Sequence, residues 1–138
     1  LESLPGPERR EAQARRIVAD LDRAIGRDGA ALIGGDINSV TLPPGTPATA
    51  RPDWFTAPEA HEGAFRVFAD AGFEWLAANT PEPTRRQLPN GWPVPPFNRL
   101  DWFFVRGLKA SNPRVWPAVD EAGTPLSDHE LITVDVEA

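Results

Sequence analysis

Helical and strand periodicities alternate along this chain, and that alternation predicts an α/β (α+β) fold. Ala14, Ile17, Val18, Leu21, Ala24 and Ile25 recur at three- and four-residue spacings, the pattern of one apolar helix face. Leu100-Asp101-Trp102-Phe103-Phe104-Val105 is apolar on both faces apart from one acid at its start, as in a strand covered on both sides. Ile132, Val134 and Val136 alternate with Thr133, Asp135 and Glu137, as in a half-exposed terminal strand. A chain of 138 residues with 41% hydrophobic composition is long enough to close one core, so a single domain is predicted.

In chain order, Pro5-Gly6-Pro7-Glu8 suits a helix entrance, because proline fits the first turn and the helix dipole favours an acid there. The helix should end within Gly26 to Gly29. Arg9, Arg10, Arg15 and Arg16 alternate with Glu8, Glu11 and Asp20, which favours a solvated charged face over a nucleic-acid patch. Ala30 to Ile33 reads as a short strand buried on both faces, and Gly34-Gly35 allow an unusual turn or a close neighbour after it. Asp36 and Asn38 then emerge two apart, on one side of an extended segment. Together they could reach one target, the carboxylate binding a metal or taking a proton while the amide donates to an oxyanion. Asp-Ile-Asn-Ser is equally a plain turn sequence.

Thr41 to Pro58 is a proline-rich loop in which Trp54 and Phe55 either line a cleft or pack the loop down. Glu59 to Ala71 is predicted as a second helix, with Gly72 as its stop and His61 as a surface or capping residue near its start. Phe73 to Ala77 is a candidate short strand. Asn79 to Asn98 is a second proline-rich loop. Arg85 and Arg86 within it are candidate phosphate-contacting cations, with ordinary exposed arginines as the alternative. Arg114 to Val119 is a further candidate strand. Asp101 is costly to bury in its apolar run without a partner, which marks it for a specific job. Ser127-Asp128-His129 stands just before the terminal strand.

Composition narrows the function classes. Fourteen Lys and Arg against 20 Asp and Glu leave a net charge of -6, which disfavours non-specific attraction to nucleic acid while leaving a local basic patch open. Without cysteine there are no disulfides and no thiolate metal sites. No apolar run approaches a membrane span or a signal peptide, and nothing in the sequence assigns a compartment. Five tryptophans and seven phenylalanines predict a core of large rings.

Asp36 with Asn38, Asp101, and Asp128 with His129 all fall at strand ends or in the loops beside them, where open α/β sheets place their sites. In their order and surroundings, Gly35-Asp36-Ile37-Asn38, Leu100 to Val105 and Ser127-Asp128-His129 resemble the endonuclease/exonuclease/phosphatase superfamily. That family includes deoxyribonucleases, apurinic endonucleases, bacterial sphingomyelinases and inositol polyphosphate phosphatases. The three motifs match its Gly-Asp-x-Asn motif, its Asp-bearing hydrophobic strand and its Ser-Asp-His motif.

The resemblance implies a metal-dependent phosphoester hydrolase, of nuclease, phosphodiesterase or phosphatase type, working by in-line attack of an activated water. In it Asp36 orients or deprotonates the water, and Asn38 holds a phosphate oxygen. His129 contacts the phosphate, with Asp101 fixing its tautomer. Asp128 assists Asp36 at the metal, which is Mg2+ or, as the alternative, Mn2+. A domain of the family runs to about twice this length. No replacement for its principal metal-binding glutamate is found here, and Leu1-Glu2-Ser3 resembles the sequence that follows its mid-domain histidine. Residues 1–138 are therefore expected to be the C-terminal half of a four-layer α/β/β/α sandwich: one mixed, mostly antiparallel sheet with helices on its outer face. The bare inner face should be covered by the missing N-terminal half or by a second copy in a homodimer. Activity of such a half alone is an open expectation. The competing expectation is a non-catalytic binding or assembly module that retains the fold.

Overall fold

The computed structural model describes residues 6–38, 53–86 and 98–138. The fold is α+β. In chain order it contains α1 (Gly6–Ile25), β1 (Ala31–Asp36), α2 (Gly63–Asp70), β2 (Asp101–Arg106), β3 (Lys109–Trp116) and β4 (Leu131–Glu137), with single 3-10 turns at Pro58–Ala60 and Leu76–Ala78. Most of the two proline-rich loops, residues 39–52 and 87–97, lies outside the described residues.

The first helix has Glu8 in its first turn and Arg23 in its last, both complementing the helix dipole. It stops at Gly26, whose φ of 81° only glycine adopts freely and whose N–H donates to Asp22 O at 2.9 Å. Ala14 is fully buried on the face that meets α2. Arg10, expected on the solvated face, is instead buried and paired with Glu62 at 2.8 Å.

The second predicted helix is divided. A 3-10 turn covers Pro58–Ala60, His61 and Glu62 interrupt it, and α2 begins only at Gly63. His61 stays at the surface, against Asp53 at 3.1 Å. Trp54 is buried and meets Trp102 edge-on, while Phe55 stacks on Trp102 at 5.7 Å. These rings pack the loop down.

β1 and β2 pair antiparallel, with Ala31 opposite Arg106 and Asp36 opposite Asp101. β3 and β4 form a second antiparallel ladder, irregular between Ser111 and Arg114. The single sheet expected from the resemblance is thus two two-stranded ladders among the described residues, bridged through residues 84–86. Arg85 pairs its backbone with Asn98 on one side and His129 on the other.

Trp102 and Phe104 point to the helices and are wholly buried, with Phe65 edge-on to Trp102 at 4.9 Å and Phe68 against Phe104 at 4.4 Å. Ring contacts of this kind add about 0.5–1.5 kcal/mol each beyond area burial. The other face carries Leu32, Gly34 and Asp36 opposite Val105, Phe103 and Asp101. β1 departs from its expected burial on both faces, since Leu32 is 42% exposed on this helix-free side. Gly34 and Gly35 lie within the strand, where the Phe103 ring crosses the space a Cβ on Gly34 would fill.

The candidate strand at Phe73 to Ala77 is reduced to one bridge, Glu74 to Val105, before the chain turns at Leu76–Ala78. The Asn79 side chain then does a strand's work. Its amide donates to Phe103 O at 2.8 Å and its oxygen accepts Phe103 N–H at 2.9 Å. The candidate strand at Arg114 starts earlier than expected, at Lys109, and ends at Trp116. Among the described residues no helix is long and apolar enough to cross a membrane.

Candidate active site

Asp36 ends β1 and Asp101 begins β2, and the register sets them side by side on the helix-free face. Two carboxylates directly opposite repel. His129 stands between them, with Nδ1 at 2.8 Å from Asp101 Oδ2 and Nε2 at 3.9 Å from Asp36 Oδ2. A carboxylate only accepts, so the Asp101 bond places a proton on Nδ1 and turns Nε2 toward Asp36.

Local structure holds each partner. Ile37 is buried, and its N–H donates to Leu100 O at 2.8 Å, tying the end of β1 to the start of β2. Asn38 sits at φ 50°, a left-handed conformation that asparagine tolerates, and its N–H donates to Asp36 Oδ1 at 2.7 Å. The extended geometry expected through Asn38 is therefore replaced by an Asx turn. The turn and the site coincide in the same residues. His129 is set by its own motif, its N–H donating to Ser127 Oγ at 3.0 Å.

The flanking residues divide. Arg85 keeps a partly exposed side chain, with Nε 4.0 Å from Asp128 Oδ2, the outer limit of an ion pair. Arg86, expected to contact phosphate, is instead buried and bonded through its guanidinium to Glu130. Glu130 also accepts the Ala118 N–H, so Arg86 braces the interior. Alternation explains the split, since neighbours on a strand-like segment face opposite ways. Asp128 is half-exposed and lends its carbonyl to Arg86 N–H at 2.9 Å.

Sequence reasoning missed Thr84 and Arg99. Thr84 is fully buried, and its hydroxyl lies 2.6 Å from Asp101 Oδ2. Arg99 lies over Trp102 at 4.7 Å and donates to Glu82 O and Asn79 Oδ1. Burial pushes its guanidinium down to about 10, against the opposing pull of Asp101 and Glu82. It remains a cation at neutral pH beside the site. Nothing in the sequence marks either residue, because both act through partners distant along the chain.

Among the described residues no group of three or more His, Cys, Asp or Glu side chains is arranged to hold a metal ion. The carboxylates of Asp36 and Asp128 are hard oxygen donors of the kind Mg2+ takes, and Mg2+ keeps several waters wherever it binds.

A cleft of about 520 Å³ lies at the far end of β2, lined by Asp22, Arg27, Asp28, Asp70, Gly72 and Arg106. Its size does not make it the chemical site. Arg106 there makes four hydrogen bonds, to Gly29 O, Asp22 Oδ1, Ala71 O and Gly26 O, and ties α1 and α2 to β2. Comparison with protein-family models, with curated proteins and with solved structures returns no match for this chain.

Proposed function

We propose that this chain carries the water-activating and phosphate-binding residues of a metal-dependent phosphoester hydrolase. One observation carries the proposal: three segments far apart in sequence bring Asp36, Asp101 and His129 together, with the imidazole between the two carboxylates. Phosphoester cleavage needs an activated water and neutralisation of charge on the phosphoryl oxygens.

Asp36 orients the water and draws its proton, and the Asn38 side-chain amide donates to a phosphate oxygen. His129 then binds and stabilises the phosphoryl group, held in one tautomer by Asp101. Arg85, at the rim, is a candidate second phosphate contact. Asp36 and Asp128 would hold a divalent cation, Mg2+ or Mn2+, which when bound supplies Lewis-acid charge at the phosphoryl oxygen. The net charge of -6 favours a small phosphoester or a lipid headgroup over nucleic acid.

The same proposal takes residues 1–138 as the C-terminal half of a four-layer sandwich, its helix-free face covered by an N-terminal half or by a second copy. Leu32, 42% exposed on that face, supports it, as do Trp116 and Leu131, cross-strand neighbours that are 44% and 59% exposed.

The test is hydrolysis of bis-p-nitrophenyl phosphate by this chain and by the full-length protein, with and without Mg2+, beside Asp36→Ala and His129→Ala. Turnover that needs Mg2+ and falls at least about 100-fold in both variants is expected. Folded protein that hydrolyses nothing in either form would return the chain to the class of non-catalytic binding modules, and activity indifferent to Asp36→Ala would overturn the role given to Asp36.

A further inference from the structure

The Thr84 hydroxyl is the most completely committed polar side chain around the candidate site. It accepts the Leu100 N–H and the Asp101 N–H, each at 3.1 Å, and lies 2.6 Å from Asp101 Oδ2. A hydroxyl has two acceptor positions and one proton. Backbone N–H groups only donate, so both acceptor positions are filled, and the proton is left to point at the one remaining neighbour. That neighbour is the carboxylate oxygen that also takes His129 Nδ1.

The backbone of Thr84 joins the same elements. Its N–H donates to Asn98 O and its carbonyl accepts the Glu130 N–H, both at 2.7 Å. One residue therefore fastens the segment that leads into β2, which delivers Asp101, to the segment that leads into β4, which delivers His129.

We propose that Thr84 is a positioning residue for the Asp101–His129 pair. Its hydroxyl proton fixes the rotation of the Asp101 carboxylate and presents one oxygen to His129 Nδ1, so that the imidazole is held in one orientation with Nε2 turned toward Asp36 and substrate. The inference rests on the hydrolase reading for its purpose. Its geometry does not depend on turnover. Without the hydroxyl, the carboxylate is free to rotate and the imidazole to exchange tautomers, and two buried N–H groups lose their acceptor.

NMR of the wild-type protein with Thr84→Val and Thr84→Ser tests it. The wild type should show a hydroxyl proton on Thr84 protected from water, with a cross-peak to a downfield His129 Nδ1 proton, and 15N shifts of a single imidazole tautomer. Thr84→Ser should keep the Nδ1 resonance, while Thr84→Val should lose it and mix the tautomers. A Thr84 hydroxyl that exchanges freely in the wild type, or a Thr84→Val protein with His129 unchanged, overturns the proposal. Should Thr84→Val fail to fold, the wild-type hydroxyl and its cross-peak decide alone.

In a catalytically active protein, kcat should fall about tenfold or more in Thr84→Val with KM little changed, and Thr84→Ser should stay within about threefold of wild type. Equal activity of Thr84→Val and wild type would overturn the role. Absent turnover together with both protected protons would sink the hydrolase reading and support the positioning role by itself.

Discussion

The two ends of β2 make an instructive pair, because each carries a charged side chain and only one of them holds a partly exposed group. At the C-terminal end, Arg106 lies over Phe73 at 4.8 Å and is tied to Asp22 and three backbone carbonyls. Its side chain is 7% exposed. At the N-terminal end, Asp101 is held by Thr84 and His129, but the imidazole it holds is 26% exposed and presents Nε2 toward Asp36. A buried charge with its valences met by the protein is a fastener. A buried charge that holds a half-open group ready for a ligand is the basis of a site.

The largest expected effect breaks the first half of this contrast. Arg106→Leu should cost about 3 kcal/mol of stability, since it removes a buried guanidinium that holds Asp22 and three backbone carbonyls with four hydrogen bonds, and urea denaturation will measure it. Asp101→Asn should cost about 1 kcal/mol by the same assay. Reversal of that order would erase the distinction between fastener and site.

Next, Asp36→Ala and His129→Ala should each lose at least about 100-fold in metal-dependent phosphodiester hydrolysis while stability changes by about 1 kcal/mol or less. Parallel losses in stability would reassign both residues to structure. A smaller effect is expected at Gly34, where a Cβ would come 2.7 Å from Phe103 Cδ1. Gly34→Ala should cost about 1–3 kcal/mol through overpacking on the helix-free face, read from its thermal or urea midpoint. Smallest, Arg15→Ala removes an exposed ion pair with Glu11 on α1 and should cost only about 0.2–0.5 kcal/mol. That substitution sets the scale for a charge with no structural task.

Much of the scaffold was legible because periodicity reports it directly. The 3.6-residue repeat from Ala14 to Ile25 marks α1, and the strict alternation of Leu131 to Glu137 marks β4. The second helix was read as longer than it is, since Glu59 to Ala71 keeps an apolar face while the backbone breaks at His61 and Glu62. The strand at Phe73 to Ala77 was also overread. Asn79 supplies from its side chain the pairing that a longer strand would have supplied from its backbone, and no periodicity signals such a substitution.

The candidate site was legible as motifs and not as geometry. Asp36, Asn38, Asp101, Asp128 and His129 stand out because each lies at a strand end or in the loop beside one, in recognisable short motifs. Thr84 and Arg99 do not, because a buried threonine or arginine takes its role from its partners. The contacts of Thr84 with Asp101 lie 17 residues away in sequence.

Arg85 and Arg86 show where the division falls. In the sequence the two arginines are neighbours in a proline-rich loop and nothing distinguishes one from the other. The net charge of -6 disfavours non-specific attraction to nucleic acid and leaves a local basic patch open. Only the tertiary structure decided which arginine turns inward, through the buried carboxylate of Glu130, and which is left near Asp128 at the rim. Spacing along a chain sets faces and periods. Which face is buried, and which carboxylate finds which imidazole, depends on the packing of segments that share no local sequence.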